Sequence, residues 1–192
     1  MPPFYAATRG YDGAVNPPLH MPNFRRKRIR LPRAAYRGRR WYFVTLCAAN
    51  RRNWFVREEL VNTLLRVLRE TCQTHGFNVF AYCFMPDHLH LELEAISDHS
   101  DLISMLAAFK GLTAAEARKQ GLRNLWQKSF YEHIFRSGER EGAVAWYIFS
   151  NPVRRGLVSE PRAWPYSGSW MFDWKKAVAP VNEFVPPWKV AG

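Results

Sequence analysis

The feature that most constrains the fold is the alternating stretch MPDHLHLELE, which runs from Met85 to Glu94. Successive side chains of a β-strand point to opposite faces, so His88 and His90 would share one face with the glutamates that follow them. The three leucines between these polar residues would point the other way, into a core. The stretch therefore predicts a half-buried strand that carries two imidazoles side by side.

Hydrophobic periodicity predicts that strands and helices alternate around this strand. The segments RWYFVTLCAA, FNVFAYCFM and KSFYEHIFR are rich in β-branched and aromatic residues, which is typical of strands. Apolar residues at helical spacing predict a helix over 58–75 ended by Gly76, a second helix ending before Gly121, and a third in EREGAVAWYIFSN that Pro152 cuts short. The order β-α-β-β-α-β-α is typical of the α+β class: a ferredoxin-like split βαβ antiparallel sheet with helices on one face.

The two ends of the chain differ in composition from its centre. Residues 1–38 are predicted to form a flexible arm rich in proline and arginine, with NFRRKRIRLPR as its basic centre. Residues 39–170 would form the folded domain, and 171–192 a tail rich in tryptophan and proline that packs across the domain as an extended segment. The arm suits contacts with a nucleic-acid backbone; the alternative is a solvated tail that only aids solubility.

The charge of the chain favours a polyanionic partner. Lysine and arginine number 28 against 16 acidic residues, a net charge of +12, and each phosphate that such groups neutralise releases condensed counterions. No apolar run approaches the roughly 20 residues needed to span a bilayer, and the amino terminus lacks the layout of a secretion signal. The three cysteines are scattered, which favours a reducing compartment. We expect a cytoplasmic protein with a nucleic-acid partner and no membrane.

Two histidines on one strand face can share a metal ion, because imidazole is the commonest metal ligand. Taken alone, His-x-His is a weak signal, and two neutral histidines on a solvated strand face explain it equally well. A third ligand has to come from elsewhere in the chain. His133, in the predicted fourth strand, keeps a zinc site open.

Tyr147 and Asn151 lie four residues apart in the predicted third helix, so their side chains share one face about a turn apart. An asparagine carbonyl oxygen suits a hard cation such as magnesium or manganese, and a phenol is a nucleophile once its proton is removed. The residues alone leave other interpretations open. An aromatic side chain on a helix is more often buried than reactive, and an asparagine before Pro152 is typical of a helix end.

The stretch MPDHLHLELE, followed later in the chain by WYIFSNPVRRGLV, resembles the REP-associated tyrosine transposases, a branch of the single-tyrosine HUH transposases. HUH denotes histidine, a hydrophobic residue and histidine, here His88, Leu89 and His90. Other segments agree with that family's pattern: CAANRRNWF after the first strand, Lys110-Gly111 in the second helix, LWQKSFYEHIFR, and WPYSGSW. The resemblance covers residues 40–170.

The resemblance implies a role for each matching residue. His88 and His90 would hold a divalent cation, magnesium or manganese, with Asn151 as the third ligand. Tyr147 would attack a backbone phosphate of single-stranded DNA, which gives a 5′-phosphotyrosine link and a free 3′-hydroxyl. Glu92, on the histidines' strand face, is a candidate to orient an imidazole N–H; the alternative is an exposed carboxylate.

The substrates implied by the resemblance are imperfect palindromes that fold as single-stranded hairpins beside a short guide sequence. Basic groups would follow the DNA backbone and aromatic side chains would stack on exposed bases, although Trp41, Trp54 and Trp126 suit a core equally well. The candidate phosphate contacts are Arg51, Arg52, Lys110, Arg136, Arg154 and Arg155, together with Arg25, Arg26, Lys27 and Arg28 of the arm. Arg155 stands where many relatives have a small residue, and Glu132 where relatives often have aspartate.

Two other classes of function stay open on the sequence. One is a non-catalytic single-stranded nucleic-acid-binding module with a ferredoxin-like fold, which would bind without metal and leave no covalent adduct. The other is a zinc hydrolase built on His88, His90 and His133, which would hold a tightly bound zinc ion. The resemblance favours a bacterial, nucleoid-associated transposase. Its sequence does not decide between a monomer and a homodimer.

Overall fold

The computed structural model describes residues 31–135, 143–180 and 184–185. The chain divides into a segment, 1–31, and a compact unit, 32–192, and the elements below all belong to the compact unit. The predicted phosphate contacts Arg25, Arg26, Lys27, Arg28 and Arg136 lie outside the described residues. At the end of the predicted arm, Arg33–Tyr36 form a 3-10 turn in which Tyr36 is buried.

The centre of the unit is a five-stranded sheet in the order β4-β1-β3-β2-β5, and every strand pair is antiparallel. The strands are β1 Trp41–Cys47, β2 Phe77–Met85, β3 His88–Ala95, β4 Tyr131–Ile134 and β5 Ser167–Gly168, and the helices are α1 Glu58–His75, α2 Leu102–Lys119, α3 Ala143–Phe149 and α4 Asn151–Arg154. The predicted α+β class and antiparallel sheet are confirmed. The histidine-bearing strand β3 lies in the middle of the sheet, hydrogen-bonded on both edges.

One face of the sheet is apolar and is covered by α1 and α2. Leu89, Leu91 and Leu93 of β3 are fully buried there, within the same cluster as the apolar sides of both helices. Helix α1 begins with two glutamates, which favour the positive end of the helix dipole, and ends at Gly76 in the left-handed region with φ of 71°. Helix α2 begins where the Asp101 carboxylate accepts a hydrogen bond from the Ser104 N–H.

The opposite face of the sheet is covered by α3. Val144, Ala145 and Ile148 of this helix pack with Phe43 of β1 and Cys83 of β2, whose side chains point away from α1 and α2. The prediction that the helices lie on one face therefore holds for α1 and α2 and is corrected for α3. The reason is that β1 and β2 carry apolar side chains on both faces, so both faces need cover.

The segment after α4 closes the edge of the sheet beside β2. Strand β5 pairs with Tyr82 and Cys83, and a Cβ on Gly168 would overlap the Tyr82 phenol ring, so this close approach needs glycine. Farther on, Trp174 stacks on Phe149 of α3 with ring centroids 4.3 Å apart. None of the helices in the described part of the chain combines the length and apolarity that crossing a bilayer requires.

Candidate active site

The two histidines of β3 face each other on the α3 side of the sheet. The Nε2 atoms of His88 and His90 lie 3.0 Å apart, with the rings nearly perpendicular. Both side chains are buried, at 7% and 8% exposure. The interpretation of idle histidines on a solvated strand face is therefore excluded.

Each imidazole is held from behind through its Nδ1 atom. His88 Nδ1 lies 2.6 Å from Oδ1 of Asp87, and His90 Nδ1 lies 2.9 Å from the hydroxyl of Thr45, its neighbour on β1. A carboxylate only accepts, so His88 donates from Nδ1, and the tautomer that this contact favours has its lone pair on Nε2. Both rings are thus oriented with their Nε2 atoms toward one point.

The surroundings keep His90 neutral and Asp87 ionised. Burial, then the neighbouring His88, then the nearby arginines lower the pKa of His90 well below 6.5. Burial alone would raise the pKa of Asp87, but the hydrogen bond from His88 and the charge of Arg51 outweigh burial and lower it. A neutral imidazole with an anchored Nδ1 is the form that binds a metal ion.

The histidine pair fits one divalent cation bound by both imidazoles. Metal–imidazole bonds of about 2.1 Å at a right angle place the two nitrogens about 3 Å apart, which matches the Nε2 separation. Among the described residues, no group of three or more histidine, cysteine, aspartate or glutamate side chains is arranged to hold a metal. His133 of β4 pairs with Phe43 of β1, which pairs on its other side with Glu92 of β3. The His133 ring packs against Phe135. The zinc triad is not formed.

Phe43 joins the histidine pair to the predicted nucleophile. Its ring stacks on His90 with centroids 5.4 Å apart and meets Tyr147 edge-on at 6.1 Å. Tyr147 is half-buried on α3 and also packs against Phe184. Phe43 was not among the predicted site residues, although the alternation of side chains along β1 could have placed it on the sheet face opposite α1 and α2.

Arg154 lies directly on Tyr147. Its guanidinium carbon is 4.1 Å from the centre of the phenol ring, and its terminal nitrogen donates a 2.6 Å hydrogen bond to the Tyr147 carbonyl oxygen. Burial raises the pKa of Tyr147, and the charge and hydrogen bonding of Arg154 oppose that rise. Arg154 therefore favours the ionised phenol while its outer side is exposed to solvent.

Asn151 lies one turn after Tyr147, as the spacing predicts, and is buried. Its Nδ2 donates to the carbonyl oxygens of Tyr147 and Ile148, at 3.1 and 3.2 Å, and thereby closes α3 at the point where Pro152 interrupts the helix. Both contacts use the amide nitrogen and leave the Oδ1 atom for another partner. Asn151 thus combines the helix-ending role with a donor atom suited to a hard cation.

Glu92 is fully buried on the same face as the histidines, at 1% exposure, so the exposed-carboxylate alternative is wrong. It lies between Phe43 of β1 and Ala81 of β2. The Nδ1 atoms of both imidazoles are held by Asp87 and Thr45, so these residues, rather than Glu92, orient the histidine rings. Asp87 is next to His88 in the motif, but the Thr45 contact depends on strand register that the sequence does not reveal.

The predicted phosphate contacts divide into two groups. Arg154 and Arg155 lie at the exposed end of α4, after Tyr147. Their positive charges help to lower the pKa of His90. The side chain of Arg52 lies over the Trp54 ring. By contrast, Arg51 forms an ion pair with Asp87, and Lys110 donates from Nζ to the carbonyl oxygens of Gln127 and Lys128, which ties α2 to the segment before β4.

The predicted stacking tryptophans also divide. Trp126 packs between Phe55 and Phe109 and donates from its indole nitrogen to Thr113, so it belongs to the core. Trp41 is partly exposed on β1 and contacts Phe80 with ring centroids 4.3 Å apart.

Comparison with known proteins identifies the class to which this fold and site belong. The family described as IS200-like transposases matches residues 39–150, which include the histidine pair and Tyr147. The chain belongs to the IS200-like transposase family.

Individual relatives point to the same branch. The chain is 27% identical over 150 residues to the REP-associated tyrosine transposase of Escherichia coli K12, covering 72% of this chain and 86% of that protein. It is 26% identical over 137 residues to a Haemophilus influenzae protein provisionally assigned the same name, covering 66% and 77%. The resemblance drawn from the motifs is confirmed.

A solved structure shares the fold. A REP-associated tyrosine transposase bound to a REP hairpin superimposes with a TM-score of 0.61 at 23% identity, covering 78% of this chain and 96% of that chain. The antiparallel sheet with helices seen here is therefore the fold of that transposase.

Proposed function

We propose that the protein cleaves and rejoins hairpin-forming single-stranded DNA in a metal-dependent reaction, with Tyr147 as the nucleophile. The observation that carries the proposal is the buried pair of Nε2 atoms 3.0 Å apart, linked to Tyr147 through the Phe43 ring. Membership of a transposase family supports strand transfer as the reaction class. The hairpin substrate is suggested by the related transposase whose structure contains a REP hairpin.

His88, His90 and Asn151 would hold magnesium or manganese through two imidazole nitrogens and one amide oxygen. When bound, a divalent cation supplies positive charge to a non-bridging phosphate oxygen and favours in-line attack. The neutral state of His90 and the anchored Nδ1 atoms keep the two imidazoles ready as ligands.

The chemical step belongs to Tyr147. Its phenol oxygen forms a bond to phosphorus, the bond from phosphorus to the 3′-oxygen breaks, and that oxygen leaves as a 3′-hydroxyl after taking a proton. The 5′ end of the DNA stays attached to the tyrosine, and attack by a 3′-hydroxyl on this phosphotyrosine rejoins a strand. An ordinary phenol, with a pKa near 10, is a weak nucleophile at neutral pH, and burial raises the pKa of Tyr147 further. The Arg154 charge on the ring opposes that rise and so assists ionisation.

The proposal is tested with end-labelled single-stranded hairpins from the organism's own palindromes, incubated with magnesium, manganese or chelator. We expect a covalent protein–DNA band that survives denaturation in either metal and is missing with chelator. Removing both ligands in His88→Ala/His90→Ala should abolish the band.

His133→Ala is the matched control, because it removes a histidine of the same sheet face that lies outside the pair. It should cleave normally, whereas loss of activity would favour a zinc hydrolase. A protein that binds the hairpin tightly but never cuts it, in either metal, would favour the binding module.

A further inference from the structure

The turn after β1 has an unusual backbone. Asn50 and Arg51 are consecutive non-glycine residues with positive φ, 54° and 55°. The left-handed region costs an L-residue roughly 1–2 kcal/mol, and such strain persists only where surrounding contacts hold it. The contacts that hold this turn therefore show which part of the molecule depends on its conformation.

Those contacts join the turn to the start of the histidine strand. The Ala48 N–H donates to the Asp87 carbonyl oxygen at 2.9 Å, and the Phe55 N–H donates to that of Pro86 at 3.0 Å. With the backbone bent in this way, the Arg51 guanidinium turns back, with Nε 3.2 Å from Oδ2 of Asp87 and a terminal nitrogen 3.0 Å from the Cys47 sulfur.

The Asp87 carboxylate is consequently held at both oxygens. Oδ2 pairs with Arg51, while Oδ1 accepts from Nδ1 of His88, so the carboxylate cannot rotate without losing one partner. His88 is fixed in turn, and its Nε2 points at Nε2 of His90. A continuous chain of contacts runs from the strained turn to the atoms that would bind metal.

We propose that Arg51 and Asp87 are positioning residues of the metal site, with Arg51 acting through Asp87 to hold His88 in its ligand orientation. This inference rests on the proposed function, since it concerns the same histidine pair. It replaces the sequence-based expectation that Arg51 is a phosphate contact. Partners of metal-bound histidines usually affect metal affinity by 10- to 100-fold, which sets the effect to expect.

The test is the affinity of the full chain for Mn²⁺ without DNA, measured from the electron paramagnetic resonance signal of free Mn²⁺. We expect Asp87→Ala to weaken binding about 10- to 100-fold and Arg51→Gln about 10-fold. Because Arg51 acts through Asp87, the double variant should bind no more weakly than Asp87→Ala alone. Arg52→Gln is the control, because it removes one charge from the adjacent exposed residue. It should change Mn²⁺ affinity less than twofold.

A second readout separates positioning from DNA contact. Hairpin affinity in chelator should be unchanged in Arg51→Gln. Unchanged Mn²⁺ affinity in Arg51→Gln, with weakened hairpin binding in chelator, would overturn the proposal and restore Arg51 as a phosphate contact. Circular dichroism melting checks that each variant is folded, and Arg51→Gln, a change at a half-exposed side chain, tests the proposal even if Asp87→Ala unfolds.

The same titration distinguishes this inference from the proposed function. If the wild type and His88→Ala/His90→Ala bind Mn²⁺ equally, the metal site itself is wrong and the proposed function falls with it. If the histidine variant loses Mn²⁺ while Asp87→Ala and Arg51→Gln bind normally, the positioning proposal alone is wrong.

Discussion

The two faces of the sheet bury different kinds of side chain. The face under α1 and α2 buries leucines, valines and aromatic side chains in one large apolar cluster. The face under α3 buries His88, His90 and Glu92 beside a smaller apolar cluster. Burying polar side chains costs free energy unless they are hydrogen-bonded. The apolar burial on the first face offsets the free energy that the polar residues of the second face cost. We therefore expect stability to depend mainly on the face under α1 and α2, and the proposed chemistry on the face under α3.

The largest effects are expected from two neighbouring residues on opposite faces of β3, His90 and Leu91. His90→Ala removes one ligand of the proposed metal site. Bound metal ions contribute several kcal/mol to the stability of such transition states, so cleavage should fall roughly a thousandfold. The thermal midpoint should change little, because no apolar core residue is lost. Gel assays of cleavage beside circular dichroism melts measure both quantities; a collapse of the fold would contradict the division of the faces.

Leu91→Ala is the complementary change on the apolar face. Leu91 is fully buried in the central strand, and removing such a side chain costs about 2–5 kcal/mol of unfolding free energy. Urea unfolding should show this loss, while cleavage below the melting transition stays within a few fold of wild type. Cleavage as strongly impaired as in His90→Ala, in a folded sample, would mean that the two faces are not separable.

A smaller effect is expected from Arg154→Gln, which removes the charge from the Tyr147 ring but leaves the helix intact. One lost charged contact of about 1–2 kcal/mol predicts a roughly tenfold slower formation of the covalent adduct. Arg155→Gln is the matched control, since the neighbouring arginine has no stacking contact with Tyr147 among the described residues. Single-turnover kinetics at saturating DNA separate this effect from weaker binding, and equal slowing in both variants would contradict a specific role for Arg154.

The smallest effect should come from Asp101, which caps the start of α2 on the apolar side of the sheet. Asp101→Ala removes the cap of α2 and the ion pair with Arg37, which should cost about 1–2 kcal/mol of unfolding free energy. Adduct formation should be unchanged. A defect in cleavage greater than the loss of folded protein would show that α2 influences the site across the sheet.

The sequence predicted the apolar face better than the site. The helix over 58–75 and the strand Phe77–Met85 match the structure residue for residue, because their periodicity records burial on a single face. The prediction that α3 lies on the same sheet face as α1 and α2 was wrong. The apolar stripe of a helix shows that the helix is buried, but it does not show which face of the sheet covers it. The end of α1 at Gly76 was predictable because the left-handed conformation that ends many helices favours glycine.

The site was predictable where spacing alone determines geometry. His88 and His90 share a strand face, and Tyr147 and Asn151 share a helix face, by simple periodicity. The contacts of Thr45 and Phe43 depend on strand register, and that of Arg51 depends on a backbone conformation rare for arginine. Charge alone also gave no sign of the protein partners of two basic residues, since Arg51 pairs with Asp87 and Lys110 donates to a backbone carbonyl oxygen.

The proposed function requires the α3 face to present Tyr147 to DNA, and one mapping experiment tests this requirement. The covalent adduct is formed on a hairpin with manganese, trimmed with nuclease and digested with trypsin, and the peptides are sequenced by mass spectrometry. Tyr131 is the internal control, because it also meets the Phe43 ring edge-on, at 6.4 Å, yet falls in a different tryptic peptide. We expect the nucleotide on Tyr147, in peptide 141–154, and no adduct in Tyr147→Phe. A nucleotide on Tyr131, or an adduct that persists in Tyr147→Phe, would contradict it.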